Sequence, residues 1–354
     1  MAVGDVVRAV ALVAAIAVAV LLILWVRRRA RRSVTAPTSL NDPHSPRPVP
    51  RAAVIVNPTK LRHPVAERAW LTGRCAALGW ADPLWIETTE ADPGPGQARQ
   101  ALAAGVDTVI VFGGDGTVRA VAAEVAGTGV PLGILAAGTG NLLARNLVLP
   151  VADLDAALDV ALTGTTRQVD VVRAEIDVSG EDHDVRRETF LVMAGLGFDA
   201  EVMAAVEPEL KERVGWWAYV VAGVARMTGT PTRAVLLLDD GEPLTVRMRS
   251  VLVGNCGMLT GGLAMMPDAT LDDGVLDVAV VAPRGVVGWG AVVAGAVTRA
   301  RRNHPVVRHL QCRSVEIRCE KPLHVQLDGD AAESARVLRA RVDPGALLVR
   351  VPGP

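Results

Sequence analysis

Asp115 stands in Gly113-Gly-Asp-Gly-Thr117, directly after the uncharged apolar run Val109–Phe112. Bare glycine backbone lets a ligand approach the chain closely, and N–H groups that open a helix attract phosphate. A carboxylate at that place repels phosphate unless a cation intervenes. Asp115 is therefore expected to act with Mg²⁺, directly or through water. Gly113, Gly114, Gly116 and Thr117 form the candidate cradle. A tight turn with a surface aspartate fits the same letters. The pattern is neither the dinucleotide-binding Gly-x-Gly-x-x-Gly nor a Walker loop, because no Lys-Ser/Thr pair closes it.

Three other polar turns follow apolar runs. Asn57-Pro58-Thr59-Lys60 follows Ala52–Val56, Thr88-Thr89 follows Leu84–Glu87, and Gly138-Thr139-Gly140-Asn141 follows the run that starts at Leu132. Asn57 and Thr59 can hydrogen-bond phosphate or ribose, and Lys60 offers a point charge. Asn141 suits either a helix N-cap or a ligand contact. Arg145 lies one helical turn further and can face the same phosphate. Two glycine turns that each open a helix can line one pocket.

The elements that must position these residues alternate. Helical patterns at Val65–Leu78, through Ala104, from Thr117 and at Asp153–Leu162 separate the apolar runs. This predicts an α/β N-terminal domain with a parallel, doubly wound sheet over residues 51–165. Such sheets bind ligands at the carboxyl ends of their strands. From Arg167 the character changes. Strand-like runs at Gln168–Ile176, Thr189–Ala194, Ala234–Leu238, Leu244–Gly254, Val275–Val281, Ser314–Arg318 and Leu323–Gln326 have no alternating helices. A largely antiparallel β-sandwich is expected over residues 166–354. Two helical patches, Arg213–Met227 and Val286–Arg302, interrupt it.

With 354 residues, half of them hydrophobic, the chain is long enough for both domains. A formal net charge of −1 gives no global basic field, so nucleic acid is not an expected partner. Cys75, Cys256, Cys312 and Cys319 contain no C-x-x-C pair, which argues against a zinc site or a disulfide framework. Ala9–Val26 is an apolar run without charge, proline or glycine. At about 1.5 Å per residue, with Val6 and Val7 added, it is long enough to cross a ~30 Å hydrocarbon core. Arg27-Arg-Arg-Ala-Arg-Arg32 follows it. These features predict an N-terminal transmembrane helix with a basic flank over residues 1–32 and a Pro/Ser-rich linker over 33–50. The expected location is the cell membrane, single-pass, with the folded domains cytoplasmic. A cleaved signal peptide fits less well, because arginines stand where a small-residue cleavage site belongs.

Asn57-Pro58, Gly113-Gly-Asp-Gly-Thr117 and Gly138-Thr-Gly-Asn141 with Ala144-Arg145, in this order, resemble the catalytic domain of the diacylglycerol kinase family. The likeness runs from about Arg51 to the C-terminus. The first glycine loop also resembles those of sphingosine kinases and NAD kinases. The resemblance implies an ATP-dependent lipid kinase that phosphorylates the hydroxyl of diacylglycerol or a related membrane lipid. ATP and Mg²⁺ are the implied cofactors. Asn57, Pro58, Thr59, Lys60, Thr89, Gly113, Gly114, Asp115, Gly116, Thr117 and Thr139 are the implied nucleotide contacts. Gly195-Leu-Gly-Phe-Asp199-Ala200 resembles a family turn near the pocket, with Asp199 placed to orient the acceptor head group. In Pro267–Asp277 the matching positions for a structural Mg²⁺ are Thr270, Asp273 and the carbonyl of Val275. Leu327-Asp-Gly-Asp330 resembles a motif that usually ends in glutamate, the family's proposed general base. Asp330 is one methylene shorter. The catalytic assignments are Asp115 and Asp330. The implied partners are the lipid substrate and the bilayer that holds it, and a homodimer is compatible with the pattern. Two alternatives stay open: an NAD kinase-like phosphotransferase, and a catalytically inactive lipid-binding module. The shortened Asp330 and the missing glycine after Thr59 favour the latter.

Overall fold

Four short apolar strands build the first sheet. They are β1 (Ala52–Val56), β2 (Leu84–Glu87), β3 (Thr108–Gly113) and β4 (Leu132–Ala136), paired in parallel in the order β2-β1-β3-β4. The computed structural model describes residues 49–197, 231–258, 265–283, 288, 291, 292, 295 and 306–353. Between and after these strands run α1 (Pro64–Ala77), α2 (Pro95–Ala103), α3 (Asp115–Val125), α4 (Leu142–Asn146) and α5 (Leu154–Thr163). Proline opens α1 and α2, where its missing N–H costs nothing. The Asp153 side chain caps α5 at the Ala156 N–H, 3.0 Å away.

Every residue of β1 and β3 is buried, as strands covered on both faces require. Alternate side chains go to opposite layers. Val54, Val56, Ile110 and Phe112 pack with Leu71 of α1 and Leu158 of α5. Ile55, Val109 and Val111 pack with Ala98 of α2 and Val121 of α3. The chain runs outward from β1 to β2 and then returns to β3 on the other side of β1. That reversal puts the switch point between β1 and β3, whose carboxyl ends carry Asn57 and Gly113.

Beyond α5 the strands are β5 (Thr165–Asp177), β6 (Val185–Phe190), β7 (Met193–Leu196), β8 (Thr232–Leu238), β9 (Leu244–Met248), β10 (Ser250–Gly254), β11 (Leu276–Val281), β12 (Val307–Cys312), β13 (Ser314–Leu327) and β14 (Asp330–Val351). They pair antiparallel. Their β-sandwich encloses a core that includes Val172, Ile176, Phe190, Leu236, Val253, Ile317 and Leu338. β14 joins the two parts. It pairs with β13 and β5, and its Val349 also pairs in parallel with Leu132 of β4. Residues 49–354 accordingly form one unit.

The single-pass membrane location expected from the sequence is corrected. Among the described residues no helix is long and apolar enough to cross a membrane. The 14-residue α1 contains Glu67, Arg68 and Arg74 and spans only about 21 Å. The run at residues 6–26, its basic flank and the linker up to residue 48 lie outside the described residues. So do Phe198-Asp199-Ala200, the Arg213–Met227 patch and most of Val286–Arg302.

Candidate active site

The two glycine loops meet at the edge of the parallel sheet. The Ala137 N–H donates to the Gly113 carbonyl at 2.8 Å. A Cβ on Gly138 would stand 2.8 Å from the Cα of Gly114, so the loops touch backbone to backbone. Asp115 locks this contact. Its Oδ2 accepts from the Asn141 N–H at 2.7 Å and its Oδ1 from the Leu142 N–H at 2.6 Å. The carboxylate of the first loop thus caps the helix opened by the second. Asn141, with φ of 50°, makes no side-chain cap. Its amide instead clasps Gly138, accepting from the N–H at 2.9 Å and donating to the carbonyl at 2.8 Å. Arg145 braces the loop by donating to the Gly140 carbonyl at 2.9 Å. Burial pushes the Asp115 carboxyl up to about 6; Asp328 and Asp330 add to this, and the Leu142 and Asn141 N–H groups oppose it.

At the end of β1 the Asn57 side-chain Oδ1 accepts from the Thr59 N–H at 3.1 Å and the Thr59 hydroxyl at 2.8 Å. The Asn57 N–H donates to the Phe112 carbonyl at 3.0 Å, tying this turn to the end of β3. Pro58–Lys60 form a 3-10 turn, and Lys60 is exposed. Thr117 is buried beneath Gly113, where a Cβ would stand 2.9 Å from the threonine Cβ. Thr139 is exposed in the second loop. Asn57, Thr59, Lys60, residues 113–117 and Thr139 therefore share the carboxyl edge of β1, β3 and β4. Thr89 follows the outer strand β2; its hydroxyl accepts from the Asp92 N–H at 3.0 Å and shapes the Pro/Gly loop.

The turn between β13 and β14 brings a second carboxylate to the first glycine loop. A Cβ on Gly116 would stand 2.9 Å from Asp330 Oδ2. Asp330 is 54% exposed, and Arg119 of α3 reaches its Oδ2 at 3.1 Å. Asp328 is buried in the same turn. Its Oδ2 accepts from Leu191 N–H at 2.9 Å, and its Oδ1 from Val192 at 2.8 Å and Met193 at 2.9 Å. Burial raises its carboxyl, while those N–H groups and Arg119 oppose the rise. Arg119 carried no signal in the sequence beyond that of a charged helix residue, and the three donors to Asp328 come from a distant segment.

The acidic turn lies elsewhere in the sandwich. Thr270 and Asp273 are exposed, and Asp273 accepts from the Val275 N–H at 3.0 Å. Buried Asp170, which sequence reasoning passed over, holds the turn. It accepts from Gly274 N–H and Gly345 N–H, each at 2.7 Å. Asn255 links Asp170 to the active-site side, donating to the carbonyls of Asp170 and Leu191 at 3.0 Å each. Burial pushes the Asp277 carboxyl up to about 6; Gln311 opposes this, and Asp273 and Asp268 add to it. Its Oδ2 is buried with no hydrogen-bond partner among the described residues. Among those residues no cluster of three or more His, Cys, Asp or Glu side chains forms a metal cage. A cation here would draw on Asp273, backbone carbonyls and water. A cavity of about 1100 Å³ beside the turn is lined by Arg167, Asp272, Arg313 and Arg341 among others, and by none of the glycine-loop residues.

Comparison with known proteins agrees with this architecture. The diacylglycerol kinase catalytic domain matches residues 51–174, and the YegS C-terminal NAD kinase beta sandwich-like domain matches residues 191–351. A Pseudomonas putida protein named "Probable lipid kinase YegS-like" is 32% identical over 278 residues, covering 77% of this chain and 86% of that protein. A Mycobacterium tuberculosis protein named "Diacylglycerol kinase" is 30% identical over 234 residues, covering 65% of this chain and 70% of that one. The crystal structure of a diacylglycerol kinase from Bacillus anthracis shares the fold, with a TM-score of 0.67 at 23% identity over 87% of this chain and 98% of that chain. The chain belongs to the diacylglycerol kinase catalytic-domain family that includes the YegS-like lipid kinases. Its function is that of a lipid kinase, and the family implies ATP as phosphoryl donor.

Proposed function

We propose that the protein transfers the γ-phosphoryl group of Mg·ATP to the free hydroxyl of diacylglycerol or a closely related lipid. The observation that supports this most is the place of Asp330. A half-exposed carboxylate from the sandwich lies against Gly116, inside the loop that would cradle the phosphates. Phosphoryl transfer depends mainly on positioning and charge neutralisation. The glycine-loop N–H groups and Lys60 supply both on the nucleotide side. Asp330 accepts the proton of the attacking hydroxyl. Asn57, Thr59 and Thr139 line the nucleotide edge, and Asp115 fixes the two loops in register.

The donor chemistry fits a hard cation. Each Asp115 oxygen uses one lone pair on an N–H and keeps another. Mg²⁺ bound beside Asp115 supplies charge neutralisation for the phosphoryl oxygens. A second cation would be held at the acidic turn by Asp273, Thr270 and the Val275 carbonyl, with a structural role. A diacyl lipid is presented in a bilayer, so contact with a bilayer during turnover is part of this reading.

Incubation with γ-labelled ATP and an array of diacylglycerol, sphingoid base and NAD, with mass identification of products, tests it. Label in the phosphorylated diacylglycerol is expected. Label in NAD alone supports the NAD kinase alternative, and Mg·ATP binding without any labelled product supports an inactive lipid-binding module.

A further inference from the structure

We propose that Arg119 is a positioning residue that sets the reach of Asp330; this rests on the kinase reading above. Arg119 lies one helical turn beyond Asp115 on α3, and its side chain is only 19% exposed. One guanidinium nitrogen, Nη1, donates to the carbonyl of Leu327, and the other, Nη2, reaches Asp330 Oδ2 at 3.1 Å. The fork therefore spans the β13–β14 turn from its first carbonyl to its last carboxylate.

The rest of the turn is held from the opposite side. Asp328 is gripped by the N–H groups of residues 191–193, and the Gly329 N–H donates to Gln326 Oε1 at 2.8 Å. Asp330 Oδ1 has no hydrogen-bond partner among the described residues, which leaves it for the acceptor hydroxyl. Ion pairs between mobile surface side chains contribute little. This one differs, because burial and the Leu327 carbonyl fix the guanidinium before it meets the acid. Lysine, a single point charge, cannot hold both ends in one plane. An aspartate shorter than the family's usual acid is thus anchored by a residue of the nucleotide-loop helix. The base then moves with the phosphate cradle rather than with the sandwich.

The test is a kinetic cycle on the full chain with labelled ATP and the lipid acceptor. Arg119→Gln keeps a donor for Leu327 and removes the second prong. It should lower kcat by roughly 10- to 10²-fold, the scale of a misplacement of about 1 Å, with KM for ATP little changed. Arg119→Lys should recover part of the loss. In an Asp330→Asn background, Arg119→Gln should add almost nothing, since a positioning residue has nothing left to position. Wild-type kcat in Arg119→Gln, a loss confined to KM for ATP, or full additivity with Asp330→Asn overturns the assignment. Thermal melting of each variant separates misfolding from misplacement. If Arg119→Gln does not fold, Arg119→Lys in both backgrounds decides by the same criterion. The wild-type arm reports on the parent reading: no lipid product there overturns the kinase reading itself, whereas active wild type with an indifferent Arg119 overturns only the positioning role.

Discussion

Asp330 carries two opposed expectations. Asp330→Asn keeps shape but cannot accept the proton, so turnover should fall by ~10²–10⁴-fold while calorimetry shows Mg·ATP bound as before. An active Asn variant would move the base elsewhere. Asp328 is then a poor successor, because its oxygens are committed to three buried N–H groups. For Asp330→Glu, similarity to the family points to a tolerated change, whereas the structure points the other way. Oδ2 already lies where a Gly116 Cβ would be 2.9 Å away, so a longer acid must push on the loop or leave Arg119. A slower Glu variant is expected, and a rate equal to wild type would show that the cleft has room. Asp115 was legible because a carboxylate inside a glycine turn is chemically conspicuous, and Asp330 only through the resemblance to the family motif. Arg119 was not, because a helix arginine ordinarily reads as a solvated face. Its partner is 211 residues away in sequence.

Among the elements, the glycine loops make the sharpest demand. Gly138→Ala would set a Cβ 2.8 Å from the Gly114 Cα and 2.9 Å from Asn141 Oδ1. The neighbours there are backbone and a clasped amide, so the loops must separate. Affinity for Mg·ATP should drop at least ~10-fold by calorimetry, with the melting midpoint affected less. Unchanged affinity would show that the loop contact does not shape the nucleotide edge. The parallel sheet was legible because its strands are short, mainly apolar runs between helices. The sandwich was legible in outline only. The expected strand Thr189–Ala194 breaks after Phe190, since Leu191 and Val192 give their N–H groups to Asp328 instead of to a neighbouring strand. Leu244–Gly254 divides at Arg249, whose N–H bonds the Val281 carbonyl. The long β14 escaped notice because Pro344-Gly345 reads as a terminator. In the fold these residues sit at the register shift between Asp343 and Leu347.

Across the whole molecule, β14 ties the sandwich to the parallel sheet, so changes in either part should appear in one melting transition. Three carboxyls raised by burial, Asp115, Asp277 and Asp328, give that transition a pH dependence. Burial pushes Asp115 and Asp277 each up to about 6, from an ordinary value of 3.8. The folded protein therefore holds these protons more tightly than the unfolded chain. Their contribution is complete below about 3.8 and is lost as pH rises through about 6. Asp159 has the opposite sign: the hydrogen bond from Arg74 lowers its carboxyl, so its contribution is lost only as pH falls below the ordinary range. The raised carboxyls thus pull stability down between about pH 4 and pH 7, against His309, which burial lowers and whose contribution grows with pH, and Asp277→Asn should flatten part of the carboxyl decline. A change of about 1 kcal/mol moves the midpoint of a unit of this size by roughly 1–2 °C. Mg²⁺ should act against the decline. A cation bound at the acidic turn only in the folded state stabilises by mass action, and more so when the nearby carboxyls are ionised. Added Mg²⁺ should then raise the midpoint more at pH 7.5 than at pH 5, and Asp273→Ala should abolish the difference. Wild-type midpoints that ignore Mg²⁺ at both pH values would mean that the acidic turn holds no cation. The raised Asp277 carboxyl would then be a cost of burial alone.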